Sequence, residues 1–372
     1  MFKIEAVVVG AGVIGLSIAR ALAARSIEVL VLEQEAGIGQ GISARNSEVI
    51  HAGLYYAPGG LEARFCVEGR RALYQYCAER GVPHRRCGKL VVATNSDEDA
   101  AVQALFERTQ ANGVEGMELI GQPRLKALEP DVHGTSALVS RTTGIVDIHA
   151  LMLAYQADAE AAGATVQLRT PLAEARVSGT LIGIRTGGDE PTEIETGLLV
   201  NTAGLSAWDV SSLLHGLDPA TIPPRHLAKG NYFSMRGRTP FSHLIYPVPR
   251  AGGLGIHLTF DLGGAARFGP DVEWIDEADY NVDPERGDAF YAAIRRYWPG
   301  FPDGVLVPDY AGIRPKITGP GESPGDFIIQ GPETTGHQAY VALYGIESPG
   351  LTASLAIGEY VADLALGSHR HV

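Results

Sequence analysis

The chain is 372 residues long, enough for two domains, and 45% of its residues are apolar, with a mean hydropathy of +0.03. Its formal net charge of −13 argues against nucleic acid as a partner, because binding a phosphate backbone requires a basic face. No apolar run reaches the roughly 18 residues of a transmembrane helix, so the sequence predicts no membrane span and leaves peripheral membrane contact open.

The N-terminal segment, residues 4–33, predicts a strand–loop–helix–strand unit that binds a dinucleotide. A β-branched run enters a loop with Gly10, Gly12 and Gly15, an Ala/Leu-rich helix follows, and a second apolar strand ends on Glu33. In such units the glycines permit, in that order, a tight turn, close approach of a pyrophosphate and close helix packing. The helix N-terminus attracts the phosphates, and the terminal carboxylate accepts hydrogen bonds from the ribose.

The compartment is predicted from this segment and from the cysteines. The apolar N-terminus also has features of a secretory signal, but its cleavage would remove the glycine loop, so we interpret it as mature structure. The chain has three cysteines, Cys66, Cys77 and Cys87, and their spacing gives no C-x-x-C motif. This pattern is typical of free thiols in a reducing compartment. We predict a cytoplasmic protein without a metal site, with a peripheral location on the inner membrane left open.

Downstream, helical and extended patterns alternate. Residues 37–47 form a glycine-rich polar segment, and long loops of this kind often bind ligands. Apolar periodicity predicts helices at residues 61–80, 97–112, 123–128, 149–162, 288–297 and 351–366. Short apolar runs predict strands at residues 89–94, 135–140, 165–168, 172–177, 181–185, 193–200, 232–235, 243–246, 255–260, 327–329 and 339–343.

The order of these patterns predicts two discontinuous domains with a cleft at their seam. The nucleotide-binding domain comprises residues 1–85, 145–220 and 320–372. The other domain, mostly an antiparallel sheet that is expected to bind the substrate, comprises residues 86–144 and 221–319.

Five segments resemble the L-2-hydroxyglutarate dehydrogenase/oxidase family: the N-terminal loop and residues 44–56, 243–249, 308–317 and 345–354. The resemblance implies a D-amino-acid-oxidase-like α/β fold, in which a Rossmann-type FAD-binding domain is interleaved with the sheet domain. It implies FAD as cofactor and a small 2-hydroxy (di)carboxylate as substrate, oxidised to the 2-oxo acid by hydride transfer to flavin. The electron acceptor stays open among a quinone, dioxygen and an electron-transfer protein.

The resemblance also implies which residues hold FAD, and the cofactor is expected to be bound non-covalently. The expected contacts to its adenosine and phosphate half, its ribityl chain and its ring are, in chain order, Gly10, Gly12, Gly15, Glu33, Ser43, Arg45, Asn46, Leu172, Ala203, Gly204, Ser348, Gly350, Leu351 and Thr352. The last four begin a helix whose N-terminus stabilises negative charge on reduced flavin. Structural explanations stay open for some of them, such as a solvated Arg45, a packing role for Gly204 and an ordinary helix start at Gly350.

Alcohol oxidation requires a base, and the substrate's carboxylate requires a cation. His51 and His257 are the candidate bases, and we favour His51 because it follows the loop that leads to the flavin. Arg314 matches the arginine that binds the substrate carboxylate in amino-acid-oxidising relatives. For a second carboxylate the options are Lys229, Tyr246, Tyr55 and Arg64, and the sequence does not choose among them.

Three other functions stay open. The nearest is amine oxidation on the same fold, with glycine, sarcosine or a D-amino acid as substrate. The second is that of a relative of glycerol-3-phosphate dehydrogenase, which is disfavoured because the predicted substrate region offers few basic residues for a phosphate. The third is that of a protein that holds flavin without catalysing a reaction.

Overall fold

The computed structural model describes residues 2–249 and 255–367 and contains an α/β arrangement with two large sheets. In chain order the strands are β1 (Phe2–Val9), β2 (Val29–Leu32), β3 (Val49–Ile50), β4 (His84–Arg85), β5 (Lys89–Ala93), β6 (Met117–Gly121), β7 (Ser136–Ser140), β8 (Gly144–Val146), β9 (Thr165–Gln167), β10 (Leu172–Ser178), β11 (Leu181–Thr186), β12 (Glu193–Asn201), β13 (Leu214–His215), β14 (His226–Met235), β15 (Leu244–Pro247), β16 (Leu258–Phe260), β17 (Ala266–Phe268), β18 (Glu273–Ile275), β19 (Leu306–Lys316), β20 (Ile328–Gln330) and β21 (Tyr340–Tyr344). The helices are α1 (Val13–Ala23), α2 (Leu61–Arg80), α3 (Ser96–Ala111), α4 (Gln122–Leu128), α5 (Ile148–Ala161), α6 (Ala207–Ser212), α7 (Gly287–Tyr297), α8 (Pro332–Thr335) and α9 (Gly350–Ala365).

The first sheet has nine strands around a parallel centre. Strands β9, β2, β1, β12 and β21 pair in parallel in that order, and the β10–β11 hairpin extends β12 in antiparallel fashion. Both faces of β1 are apolar: Ala6 and Val8 pack in the same cluster as α1 and α9, whereas Val7 and Val9 pack in the cluster that contains Trp208. Burial on both faces is typical of a central parallel strand and explains its continuous valine run.

Close packing of α1 on this sheet depends on Gly15. A Cβ atom there would overlap with the carbonyl oxygen of Gly10 and would lie 2.6 Å from Oγ1 of Thr202. Gly10 itself has φ +100°, a conformation that glycine adopts at little cost. The helix therefore begins directly at the carboxyl ends of β1 and β12.

The second sheet also has nine strands, and most of them are antiparallel. Its order is β18, β14, β17, β16, β15, β5, β7, β6, with β19 paired along β14, and only β15 and β5 run parallel among the described pairs. A third sheet consists of three strands, β3, β8 and β4. In the sequence, these strands lie between segments of the first large sheet and segments of the second. All strands of the first large sheet fall within the ranges predicted for the FAD-binding domain, and all strands of the second fall outside them. We keep the two-domain division and its boundaries as a proposal.

Most predicted elements are present within one or two residues, and the helix at residues 61–80 is found as predicted. The main error is β19, because no strand was predicted from Leu306 to Lys316. Pro308, Gly312 and Pro315 disfavour a strand locally, and pairing with the distant β14 overrides that preference. Strand β6 was also missed, β14 begins at His226 rather than at residue 232, and β16 is shorter than predicted.

Among residues 2–249 and 255–367, no helix is both long enough and apolar enough to cross a bilayer.

Candidate active site and cofactor site

A cavity of about 600 Å³ opens at the carboxyl ends of the parallel strands β1, β2, β12 and β21. Ligands of α/β sheets characteristically bind at this edge. The other side of the cavity is formed by the second sheet, through Tyr232 on β14 and Arg314 on β19. The cavity therefore lies where the two large sheets meet.

Twelve of the fourteen predicted cofactor residues line this cavity. They are Gly10, Gly12, Glu33, Ser43, Arg45, Asn46, Leu172, Ala203, Gly204, Ser348, Gly350 and Leu351. The other two lie just behind the lining: Gly15 under the glycine loop, and Thr352 in the first turn of α9. Oγ1 of Thr352 accepts a hydrogen bond of 2.9 Å from the backbone N–H of His51, so it ties α9 to the segment after β3.

The phosphate end of the cavity is held by side chains that bind the loop backbone. Glu33 accepts a 2.7 Å hydrogen bond from the N–H of Ala11, and Ser43 accepts one of 3.0 Å from the N–H of Val13 at the start of α1. Asn46 donates to the carbonyl oxygen of Ser43 at 2.6 Å. A Cβ atom on Gly12 would meet only Oγ of Ser43 within 4 Å. The loop is thus open on the side where a pyrophosphate would lie, against the N-terminus of α1.

Aromatic residues that the sequence analysis did not select also line the cavity. The guanidinium of Arg45 lies 4.1 Å from the ring centroid of Tyr280, so Arg45 packs on a ring in the cavity wall. Tyr232 lies on the opposite sheet and stacks on Tyr310 at 4.6 Å between ring centroids. The only sequence signal for either tyrosine was the richness of residues 223–308 in aromatics.

The inner end of the cavity contains His51 and the start of α9. Nε2 of His51 lies 3.2 Å from Oγ of Ser348, which also lines the cavity. Nδ1 of His51 is buried and has no hydrogen-bond partner in the described part of the chain. Burial, and next the positive charge of Lys89, lower the pKa of His51 to about 3. The imidazole is therefore neutral near pH 7, which is the form that can accept a proton.

His257, the other candidate base, is placed differently. Its ring is buried and lies parallel to Tyr246, with 3.5 Å between ring centroids and an interplanar angle of 9°. It does not line the cavity. Its role as a base stays a prediction, but the geometry favours His51.

Arg314 lies over a glycine of the neighbouring strand and faces the cavity. A Cβ atom on Gly230 would come within 2.8 Å of Nη2 of Arg314, so only glycine leaves room for the guanidinium there. The guanidinium donates a long 3.5 Å hydrogen bond to the carbonyl oxygen of Asp271. Within residues 2–249 and 255–367, no carboxylate forms an ion pair with Arg314. Its charge is thus available to an anionic ligand.

The four options for a second carboxylate are not brought into the cavity wall. The ammonium of Lys229 is buried and pairs with Asp279 at 2.7 Å. Arg64 lies on the exposed face of α2 and pairs with Glu68 at 3.2 Å. Tyr246 is buried, Tyr55 is half-buried with a buried hydroxyl, and neither lines the cavity. Lys229 and Arg64 are not available to a second substrate carboxylate because each pairs with a carboxylate of the protein. The sequence pattern could not show these pairs.

Comparison with known proteins gives one family and several relatives. Residues 5–364 match the family model described as FAD dependent oxidoreductase. The chain is 41% identical over 401 aligned positions to "L-2-hydroxyglutarate dehydrogenase, mitochondrial" of Arabidopsis thaliana, covering 97% of this chain and 83% of that protein. It is 34% identical over 276 positions to L-2-hydroxyglutarate dehydrogenase of Escherichia coli, covering 72% and 63%.

Among solved structures, L-alpha-glycerophosphate oxidase from Mycoplasma pneumoniae with FAD bound superposes with a TM-score of 0.88 at 23% identity, covering 98% of this chain and 95% of that one. At this identity the likeness shows the fold alone.

We expect the purified protein to be yellow and to release its flavin on acid precipitation, because nothing in the residues around the cavity requires a covalent bond to FAD. The absorbance spectrum of the supernatant after precipitation checks this. Colour that stays in the pellet would contradict non-covalent binding and would make His51 the first attachment site to examine by peptide mapping.

Proposed function

The chain belongs to the FAD-dependent oxidoreductase family, and from this premise we propose that it oxidises L-2-hydroxyglutarate, or a closely related small 2-hydroxy acid, to the 2-oxo acid. The family match confirms the predicted cofactor, and the likeness to the solved structure confirms the predicted fold. The observation that carries the substrate proposal is the presence, in one cavity, of a neutral histidine, His51, and of an arginine, Arg314, that pairs with no carboxylate of the described residues.

Oxidation of an alcohol removes a hydride from carbon and a proton from oxygen. FAD supplies the hydride acceptor when bound. In our proposal Arg314 binds the carboxylate beside the reacting carbon through two parallel hydrogen bonds and so fixes the orientation of the C–H bond. His51 accepts the hydroxyl proton at Nε2, because this nitrogen faces Ser348 on the cavity side.

The first turn of α9 contributes to the same region. Gly350 and Leu351 line the cavity at the helix N-terminus, where the first backbone N–H groups have no partner within the helix, and that of Gly350 donates to the carbonyl oxygen of Glu347. In our proposal these N–H groups provide positive potential for the negative charge that accumulates during oxidation. Thr352 positions this turn relative to His51 by its hydrogen bond to the His51 backbone.

The location of the protein and the identity of its electron acceptor are also parts of the proposal. A cytoplasmic location remains our prediction: the Arabidopsis relative is named mitochondrial, whereas the name of the Escherichia coli relative gives no compartment. The acceptor is a quinone, dioxygen or an electron-transfer protein, and measuring reoxidation of the reduced flavin by each would identify it.

The direct test is anaerobic mixing of the enzyme with candidate substrates while the visible absorbance of the flavin is followed. We expect L-2-hydroxyglutarate to bleach the flavin, and glycine, sarcosine and D-amino acids to do so far more slowly or not at all. Faster bleaching by an amine would replace our proposal with amine oxidation on the same fold.

Replacing Arg314 by lysine should lower kcat/KM for the hydroxy acid by about 10- to 100-fold, because a lysine cannot form the bidentate contact. Steady-state kinetics measure this, with Arg185→Lys, a change on the exposed face of the first sheet, as the matched control. An unchanged kcat/KM in Arg314→Lys would remove Arg314 from the substrate site.

His51→Ala should slow flavin reduction at saturating substrate by ~10²–10⁴-fold, the usual effect of losing a general base. His257→Ala should mainly raise the apparent dissociation constant. Stopped-flow measurement of flavin reduction over a range of substrate concentrations distinguishes the roles of the two histidines. Slow reduction in His257→Ala and weaker substrate binding in His51→Ala would exchange these roles, and two unaffected variants would place the base elsewhere.

In the wild-type protein kcat/KM should not fall between pH 7 and pH 5, since His51 is protonated only near pH 3 in the free protein. Kinetic measurements over this pH range check the expectation.

A further inference from the structure

Lys89, the first residue of β5, is a buried cation that forms no ion pair with a carboxylate of the described residues. It is 0% exposed, and its Nζ has no hydrogen-bond partner in the part of the chain that the structure describes. The ammonium lies 4.9 Å from the ring centroid of Tyr55 and 4.4 Å from that of Tyr246. Ring faces attract a cation weakly compared with a carboxylate, and a buried charge is costly unless it is paired. The site is therefore suited to receive an anion.

Other unpaired polar atoms lie in the same place. We define the Lys89 cluster as His51, Tyr55, Lys89 and Tyr246. Three buried side-chain atoms of this cluster have no hydrogen-bond partner among the described residues: Nδ1 of His51, the hydroxyl of Tyr55 and Nζ of Lys89. Because buried polar groups are almost always hydrogen-bonded, such a concentration indicates a ligand site.

The Lys89 cluster adjoins the cavity that contains Arg314. His51 belongs to both the cluster and the cavity lining. Tyr232 also lines the cavity, and burial raises its pKa although the charge of Arg314 opposes this. Arg314 and Lys89 lie on separate strands of one sheet, β19 and β5, and His51 connects the surroundings of Lys89 to the cavity that Arg314 lines.

We infer that Lys89 is a specificity-determining residue, whose ammonium binds the second carboxylate of a dicarboxylate substrate while Arg314 binds the first. The inference rests on the proposed function and assigns the cation that neither Lys229 nor Arg64 can supply. Lys89 does not line the cavity, so contact requires a rotamer change of its own flexible stem or of a neighbouring tyrosine ring. A monocarboxylate of the same length would leave the ammonium buried without a partner, which disfavours its binding.

Binding of a second carboxylate by Lys89 should depend on pH. Burial lowers the pKa of Lys89 to about 7. The titratable groups around it are His51 after β3, Tyr55 in the same segment, Cys66 on α2, Cys87 before β5, Tyr246 on β15 and His257 before β16. None of these groups is a carboxylate. As pH rises through 7 the free protein loses this charge, so dicarboxylate affinity falls about tenfold per pH unit, whereas monocarboxylate affinity does not.

The test compares a dicarboxylate with its monocarboxylate analogue. Calorimetric titration of the holoenzyme with glutarate and pentanoate measures binding without turnover, and kinetics with L-2-hydroxyglutarate and L-2-hydroxypentanoate measure the reaction. We expect Lys89→Met to weaken glutarate binding by about 100-fold and to lower kcat/KM for the hydroxy dicarboxylate by the same factor. This is the effect expected when one partner of a buried ion pair is removed. Pentanoate and the hydroxy monoacid should change by no more than about threefold. Lys89→Arg should retain part of the preference.

Several outcomes are decisive. Methionine has a similar length and removes an unpaired buried charge, so the variant should fold and retain FAD. Lys126→Met, on the surface, is the matched control. Equal losses for both acids would show a structural role and overturn the inference, as would wild-type glutarate binding that is unchanged between pH 6 and pH 9. Lys89-dependent glutarate binding without oxidation of any hydroxy acid would support the inference and refute the proposed function.

Discussion

The contact between α1 and the carboxyl ends of β1 and β12 is the constraint on which the cofactor site depends. Because residue 15 has no side chain, the helix begins directly against the strand ends, and any Cβ there would overlap with Gly10. This contact places the helix N-terminus at the edge of the sheet, where its N–H groups face the cavity. It also brings Ala11 within reach of Glu33, whose carboxylate holds the loop across the neighbouring strand.

The substrate end depends on a different kind of contact, the long pairing of β14 with β19. This pairing places Arg314 opposite Ala228, with its guanidinium over Gly230. Asp271, whose carbonyl oxygen accepts from Arg314, is itself held by an ion pair of 2.6 Å with Arg286. The arginine is thus positioned by a backbone acceptor rather than neutralised by a carboxylate, and its charge is preserved for a ligand.

Individual positive side chains in and beside the cavity contrast with the negative net charge of the whole protein. The chain carries a formal net charge of −13, which would repel a small dicarboxylate at long range. Arg314 in the cavity wall and the buried Lys89 beside it provide local positive charges, and burial reduces the screening of the Lys89 charge by solvent. Burial is the main cause of the low pKa of His51, and the positive charge of Lys89 lowers that pKa further.

The sequence by itself determined the N-terminal dinucleotide unit, the two types of sheet and most helices, because these depend on periodicity and on glycine spacing over short distances. The family resemblance then pointed to FAD, which the comparisons confirm. Tertiary structure alone decided which charged side chains were available to a ligand. Lys229 pairs with Asp279, whereas Lys89, which stands at the start of an apolar strand, is buried with no hydrogen-bond partner for its ammonium among the described residues. It also revealed β19, whose prolines argue locally against a strand. In each case the deciding partner is distant in sequence, and no local pattern encodes the distance between two such side chains or strands.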